Sequence, residues 1–556
     1  MLRDILTKIV VNAMITKGYF DIGKMHSNTV NARAKNEKLL FKILKWGENS
    51  EYGRKYNFDK IKTVEDFRKY VPLTEYSDYD GYIKRMINNE ENILTTLPIV
   101  GYAQSSGSVG SRKFVPLTQP DINIYTKYSV TRMLALADMF HRKKYGTGIK
   151  AARGMYTGPA YDDFLPNGLV CSNVPDVAAR QLGFLYPYFI NVPFTHLFNY
   201  KEIDYRYINS RLALQEKDTL FLFSVFFKDV SDYMRYLEKN WRILADDIEH
   251  GTISDIAKAD PKIKKKIEKV LRPAPERAEE IRREFEKGFD STIIRRLWPN
   301  MSVFSGIGTS TFAPFAKLVK QNTKGIPFDY SFYGASEGLF AACDALESGK
   351  QLLLVDSCYY EFIPVEDKNR ILSLDELETG KEYEVVITNL SGLYRYRIKD
   401  IIKVMGYRNS CPYVQFARRE GQLLNVTGEK TTEAHISAVI KEIEKLADCQ
   451  MIDWSVYTRL DVHPYHYVLM IENSEGKDMT KFEEAADKIL SEANIRYKYF
   501  VDMNKIGKIT IENLRSGTNR AWQAKQIAKG APPTQVKPVR ILDTPEKEKF
   551  FKGNLI

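Results

Sequence analysis

Thr219 to Phe227 reads TLFLFSVFF, a short run that is almost wholly apolar. Such a run predicts a strand buried on both faces, because a strand with one wet face would alternate. Directly after it Met234, Leu237, Trp241, Leu244 and Ile248 recur at steps of three and four. That spacing predicts a helix with one apolar stripe, packed on the sheet rather than wound into a coiled coil at this length. Helical and strand periods are mixed in this way over about the first 425 residues, which predicts a large α/β region. PKIKKKIEKVLRPAPERAEEIRREFEKG, from Pro261, carries both signs of charge and predicts two solvated helices broken at Pro273 and Pro275. In MLRDILTKIVVNAMITKGYF, Asp4, Lys8 and Lys17 interrupt the apolar residues and no small-residue cleavage site comes after them. The reading is an amphipathic first helix, not a signal peptide.

Beyond Gly428 the texture changes. Ile436, Val439, Ile440 and Ile443 share a helical face, Ile452, Trp454 and Val456 alternate as a strand, and HYVLMIE follows as another. Thr480 with Glu483 predicts a capping box for a helix carrying Phe482, Ala486, Ile489, Leu490 and Ala493. KITIENL and a helix near Ala521 to Ala528 complete a compact α+β order. The expected organisation is a large α/β domain over 1–427 and a small α+β domain over 428–556, with Gly428 as the hinge.

Composition adds little to this and removes several function classes. A chain of 556 residues exceeds one ordinary core. It is 44% hydrophobic and 28% charged, the balance of a soluble globular protein. Lys and Arg number 82 against 71 Asp and Glu, a net charge of +11. Over this length that favours an anionic ligand and does not point to nucleic acid. Cys171, Cys343, Cys358, Cys411 and Cys449 lie far apart with no C-x-x-C pair, the pattern of reduced thiols in the cytoplasm. No stretch reaches the roughly 18 apolar residues of a membrane span.

Three segments carry candidate chemistry. QSSGSVGSRKFVPLT, from Gln104, offers glycines that let successive N–H groups turn inward, serine hydroxyls, and Lys113. Together these suit a phosphate cradle, although a surface turn has the same composition and the glycine spacing is not that of a Walker A loop. FYGASEGLF, Phe332 to Phe340, contains G-x-S-x-G, the nucleophile elbow of an α/β-hydrolase, with Ser336 as the serine. Against an esterase, no HGGG-like segment precedes it, and His463 and His466 fall beside or within a strand of the small domain; a strand-to-helix turn with Ser336 as a cap is the plainer alternative. In SGLYRYRIKDIIKVMGY, Tyr394, Tyr396 and Ile398 alternate with Arg395, Arg397 and Lys399, and Asp400 ends the alternation. A carboxylate there suits the vicinal hydroxyls of a sugar, and a salt-bridged surface strand would look the same.

The order of these segments is more informative than any one of them. Serine-glycine loop with lysine, Tyr-Gly-x-Ser-Glu, Tyr-Arg-x-x-Asp and a small C-terminal domain resembles the superfamily of adenylate-forming enzymes. WPN at Trp298, YGASE at Tyr333, GLYRYR at Gly392, FARRE at Phe416, GEKTTE at Gly428, HYV at His466 and KGAPPTQVKPVR ending at Arg540 make the resemblance closest to the auxin-responsive acyl acid amido synthetases of the Gretchen Hagen type. These markers run over nearly the whole chain.

The resemblance implies an α/β adenylating domain with a mobile small domain, using ATP and Mg2+ to join a small carboxylic acid to an amino acid or other amine. It implies that Ser105, Ser106, Gly107, Ser108 and Lys113 contact phosphates. Tyr333, Gly334, Ala335 and Ser336 would flank the nucleotide, Glu337 would hold the metal, Asp400 would bind the ribose, and Arg418 would lie nearby. Lys430 and Lys537 would supply charge at the α-phosphate and carboxylate. Tyr125, Tyr128 and Arg132, on a helix-like segment after the first loop, are candidates for the acid pocket. Two departures stand out: Lys537-Pro538-Val539-Arg540 replaces Lys-x-Pro-Arg, and Lys399 replaces the glycine before the ribose aspartate. A ligase forming coenzyme A thioesters, and a nucleotide-binding protein without catalysis, are the other readings of the same pattern. Neither the acid and acceptor nor the oligomeric state is legible.

Overall fold

The computed structural model describes residues 2–105, 113–158, 163–192, 202–309, 313–419, 422–528 and 539–556. Contacts divide them into two units, the first ending at Arg418 and the second beginning at Arg419, ahead of the boundary at 427 expected from texture.

Strands are numbered along the chain. In the first unit, β1 (Ile99–Ser105), β2 (Lys113–Thr118), β4 (Asp163–Phe164) and β5 (Val170–Ser172) form a sheet in the order β2-β1-β5-β4. β3 (Arg153–Tyr156), β6 (Thr219–Phe226), β7 (Val303–Ile307) and β8 (Phe328–Asp329) form a second, parallel throughout. The apolar run at Thr219 is β6, interior to that sheet. The helix Phe227–His250 next to it buries Met234, Leu237, Trp241, Leu244 and Ile248, as its stripe requires.

The charged stretch gives helices Pro261–Glu268 and Pro275–Glu286, each opening on a proline. The second is only half solvated, since Phe285 stacks on Trp241 with ring centroids 5.3 Å apart. The first helix spans Leu2–Asn28, and no helix among the described residues is long and apolar enough to cross a membrane.

The third sheet has seven strands: β9 (Phe332–Ala335), β10 (Gly338–Ala342), β11 (Gln351–Leu353), β12 (Tyr359–Pro364), β13 (Glu382–Thr388), β14 (Tyr396–Arg408) and β15 (Cys411–Arg419), in the order β12-β13-β14-β15-β11-β10-β9. All five cysteines are free thiols and buried.

In the second unit β16 (Gln422–Leu424) pairs with β17 (Thr431–Thr432). β18 (Met451–Arg459), β19 (His466–Asn473) and β20 (Thr510–Asn513) form a sheet with β19 central and buried along all eight residues. Two expectations are corrected. Ile452 does not share the buried face of Trp454 and Val456, because the pairing slips between Met451 and Asp453 and leaves Ile452 45% exposed. Thr480 is not a cap: Asp478 accepts from its N–H at 3.0 Å and its hydroxyl at 2.8 Å. Glu483, which begins the helix Glu483–Ala493, accepts instead from Ile511 N at 2.9 Å.

Candidate active site

FYGASEGLF folds as strand, turn, strand. β9 and β10 pair as an antiparallel hairpin in which Ala335 faces Gly338, so Ser336 and Glu337 are its two-residue tip. A nucleophile elbow needs a helix after the serine, and so does a helix cap. Neither reading of Ser336 survives the second strand. Gly334 suits this hairpin because a Cβ there would lie 3.0 Å from the Gly338 carbonyl oxygen.

The tip is fixed by contacts from distant chain segments. Ser336 Oγ donates to Gln104 O at 3.4 Å, which brings the tip against the end of β1. Glu337 is buried, with Tyr396 Oη donating to its Oε1 at 3.3 Å and Asn389 Nδ2 donating to its backbone oxygen at 2.9 Å. Sequence reasoning gave no role to Tyr396 or Asn389. Tyr396 was visible only as one member of an alternating strand, and Asn389 carries no sequence signal.

Asp400 is not at a strand end. β14 continues to Arg408, and Asp400 lies in a bulge where Ile398, Lys399 and Asp400 together face Val385. The carboxylate is 2% exposed and accepts from Tyr333 Oη at 3.0 Å. Lys399 takes φ 61°, the left-handed backbone that a glycine would adopt most easily. Its ammonium pairs with Glu75 at 2.9 Å.

Arg395 departs from the polar face expected of it. It sits at φ 47°, is 3% exposed, and grips Glu361 through Nε at 2.8 Å and Nη2 at 3.1 Å. Its Nη1 donates to the backbone oxygens of Arg68 and Val71. This buried pair anchors the chain one residue before Tyr396.

Lys113 faces Ser105 in the last rung of the β1–β2 ladder, and its ammonium lies 5.0 Å from the Tyr76 ring. Burial, reinforced by the Asp80 and Glu337 charges, pushes the Tyr76 phenol up to about 12. Ser106, Gly107, Ser108 and Lys537 lie outside the described residues.

The structure thus brings Tyr333 to Asp400, Tyr396 to Glu337, and Ser336 to the end of β1. It takes other candidates elsewhere. Arg418 is exposed and pairs with Glu382 at 2.5 Å. Tyr128 Oη bonds Asp356 at 2.7 Å, and Arg132 directs Nε, Nη1 and Nη2 to Tyr128 O, Asp329, Cys343 O and Ser331 O. Both are engaged inside the protein and fully buried. Tyr125 differs: its ring packs edge-on against Phe332, and its buried hydroxyl has no hydrogen-bond partner among the described residues. Lys430 lies in the second unit, in the turn between β16 and β17, at φ 51°.

The donor set suits a nucleotide with magnesium. Asp400 is an acceptor-only group whose rotamer is fixed by a phenol, which matches a pair of ribose hydroxyls. No group of three or more His, Cys, Asp or Glu side chains that could hold a metal occurs among the described residues. That excludes an all-protein cage there but not magnesium, which commonly takes one or two carboxylates and completes its shell with phosphate and water. Glu337 fits such a role.

The solved AtGH3.15 acyl acid amido synthetase in complex with 2,4-DB matches 98% of this chain and 97% of its own, with TM-score 0.65 and 24% identity. The chain shares the fold of that structure, a large α/β region followed by a smaller C-terminal unit. The sequence matches the GH3 family N-terminal domain over residues 21–328, the GH3 family central domain over 351–419 and the GH3 family C-terminal domain over 434–546. The chain belongs to the GH3 family. Among its relatives, the indole-3-acetic acid-amido synthetase GH3.8 of Oryza sativa subsp. indica is 28% identical, over 93% of this chain and 89% of that protein. The 4-substituted benzoates-glutamate ligase GH3.12 of Arabidopsis thaliana is 26% identical, over 96% and 100%.

Proposed function

We propose that this protein is an ATP-dependent ligase that converts a small carboxylic acid to its acyl adenylate and transfers the acyl group to the amine of an amino acid, forming an amide. The observation that carries this reading is the run of three GH3 domains in order along the chain, in a family whose relatives include an indole-3-acetic acid-amido synthetase and a 4-substituted benzoates-glutamate ligase.

A carboxylate resists attack at carbon because charge would be pushed onto an anionic group. In the first step an oxygen of the acid attacks the α-phosphorus of ATP; the new O–P bond forms as the bond to pyrophosphate breaks, and pyrophosphate leaves with the electron pair. In the second the amine nitrogen attacks the acyl carbon, the carbon–oxygen bond to AMP breaks, and the nitrogen gives its proton to solvent. Both steps depend chiefly on position and charge stabilisation.

Asp400 accepts the ribose hydroxyls, and Tyr333 fixes the orientation of that carboxylate. Glu337 would hold Mg2+, which would neutralise phosphate charge, and Tyr396 orients Glu337. Ser105, Ser106, Gly107 and Ser108 give donors to phosphate oxygens. Lys113, Lys430 and Lys537 supply positive charge. Tyr125 offers its buried hydroxyl to the acid. The compartment that suits five reduced thiols is the cytoplasm.

Pyrophosphate exchange into ATP that depends on a carboxylic acid tests the first step. Mass spectrometry of products formed with amino acids tests the second. No exchange across a broad acid panel would refute the reading, and a thioester formed only with coenzyme A would replace the amide.

A further inference from the structure

The turn of residues 425–430 joins β16 to β17 and is closed by side chains of its own unit. Asn425 Oδ1 accepts from Gly428 N at 3.0 Å and Lys430 N at 3.2 Å. Glu429 is 1% exposed and folds its carboxylate back into the turn. Its Oε1 accepts from Val426 N at 2.5 Å and its Oε2 from Thr427 N at 2.8 Å. Tyr467 on β19 donates its hydroxyl to the same Oε1. Asn494 Nδ2 donates to Glu429 O and to Thr431 Oγ1, both at 3.1 Å, and Arg496 Nη1 donates to Gly428 O at 3.2 Å.

This closure has two consequences. Gly428, at φ 110°, is bonded on both its N–H and its carbonyl, so the turn is closed by groups of its own unit. Lys430, at φ 51°, holds a backbone that a non-glycine residue keeps only where its surroundings over-determine it. The buried carboxylate one residue earlier is the centre of those surroundings.

We propose that Glu429 is a positioning residue for Lys430: the carboxylate holds the turn, Tyr467 holds the carboxylate, and together they fix the direction in which the Lys430 side chain leaves the backbone. This rests on the reading above, in which Lys430 brings positive charge to the reacting phosphate and carboxyl groups. A misdirected lysine loses alignment in the transition state, so the effect belongs to turnover rather than to ATP affinity.

The test compares full-length Glu429→Gln, Tyr467→Phe, Lys430→Ala and the Glu429→Gln/Lys430→Ala double variant in acid-dependent pyrophosphate exchange, with thermal unfolding as the check on folding. Glu429→Gln should lower kcat about 10- to 100-fold with KM for ATP within about twofold. Tyr467→Phe deletes one hydroxyl, keeps the test alive if the first variant does not fold, and should lower kcat roughly 3- to 10-fold in the same direction. Glu429→Gln should add nothing in the Lys430→Ala background, because residues that act as one unit are not additive. A slow Lys430→Ala beside folded clamp variants of unchanged kcat would overturn the proposal alone, as would losses that multiply in the double variant. Full kcat in Lys430→Ala would overturn the reading of Lys430 and the proposal with it.

Discussion

The Tyr333 hydroxyl donates to the Asp400 carboxylate at 3.0 Å, tying the β9–β10 hairpin to the β14 bulge across 67 residues of chain. Tyr333→Phe removes only that donor and leaves a buried charge short of one bond, a loss of about 1–3 kcal/mol. KM for ATP in pyrophosphate exchange should rise roughly 5- to 100-fold while KM for the acid stays put. Equal rises for both substrates would separate Asp400 from the ribose.

Among the described residues the Ser336 side chain makes one long hydrogen bond, 3.4 Å to Gln104 O, at a hairpin tip. Ser336→Ala should therefore keep pyrophosphate exchange within about threefold of the parent, since a hydrogen bond of that length contributes little. A fluorophosphonate that labels the parent and not the variant would restore the esterase that the hairpin geometry removes.

Lys399 occupies left-handed backbone, which costs a non-glycine residue about 1–2 kcal/mol, whereas glycine there carries an entropy cost of about 0.5–1 kcal/mol. The lost ion pair to Glu75 is half exposed and worth at most about 1 kcal/mol. Lys399→Gly should remain within about 1 kcal/mol of the parent in denaturant unfolding, and the β-branched Lys399→Val should lose about 2 kcal/mol or more. If valine were as stable as glycine, the backbone assignment would fail.

These positions show how far the sequence could be read. The run at Thr219 and the stripe from Met234 to Ile248 were legible because each carries its own burial pattern. The break of alternation at Asp400 was legible too, but not its cause, since a bulge and a strand end look alike until the partner strand is known. The hairpin at Ser336 was hidden because G-x-S-x-G suits any tight turn, and only the element after the turn, strand or helix, decides the fold. Arg395 was misplaced because an arginine in an alternating strand defaults to solvent unless its buried carboxylate, Glu361, is known to face it. The convergence of Tyr333, Glu337 and Asp400 was implied only by resemblance, and Tyr396 not at all, since no local pattern encodes contacts so far apart along the chain.

Asp138 accepts from Tyr19 Oη at 2.7 Å, Arg142 Nε at 2.6 Å and Ile149 N at 2.8 Å. Burial alone would raise its pKa, but the bonds from Arg142, Tyr19 and Ile149 outweigh it and hold the carboxyl below its usual range. A depressed carboxyl stabilises the fold above its unfolded pKa of about 3.9, and that stability is lost as pH falls through the lower folded value. Asp138→Asn should be about 1–3 kcal/mol less stable than the parent at pH 7. The gap should narrow in unfolding measured near pH 3 or below, and a gap constant with pH would contradict the assignment.

Arg132 and Asp329 form a fully buried pair, with Nη2 and Oδ2 2.8 Å apart. Arg132→Met leaves the carboxylate alone in the core and should cost about 3–5 kcal/mol, whereas Arg132→Met/Asp329→Leu should recover most of that loss. Chemical denaturation measures both. In the folded double variant KM for the acid should match the parent, and a large rise would return Arg132 to the substrate pocket.

Three residues facing one at the β14 bulge also govern what kind of change this segment tolerates. Side chains alternate along a strand, so removing a single residue between Ile398 and Asp400 would reverse the faces presented by one arm relative to the other. Ile402 and Val404, now buried, would exchange places with exposed Lys403. Swapping one amino acid for another in this stretch is a local matter; a deletion would turn part of the longest strand among the described residues inside out.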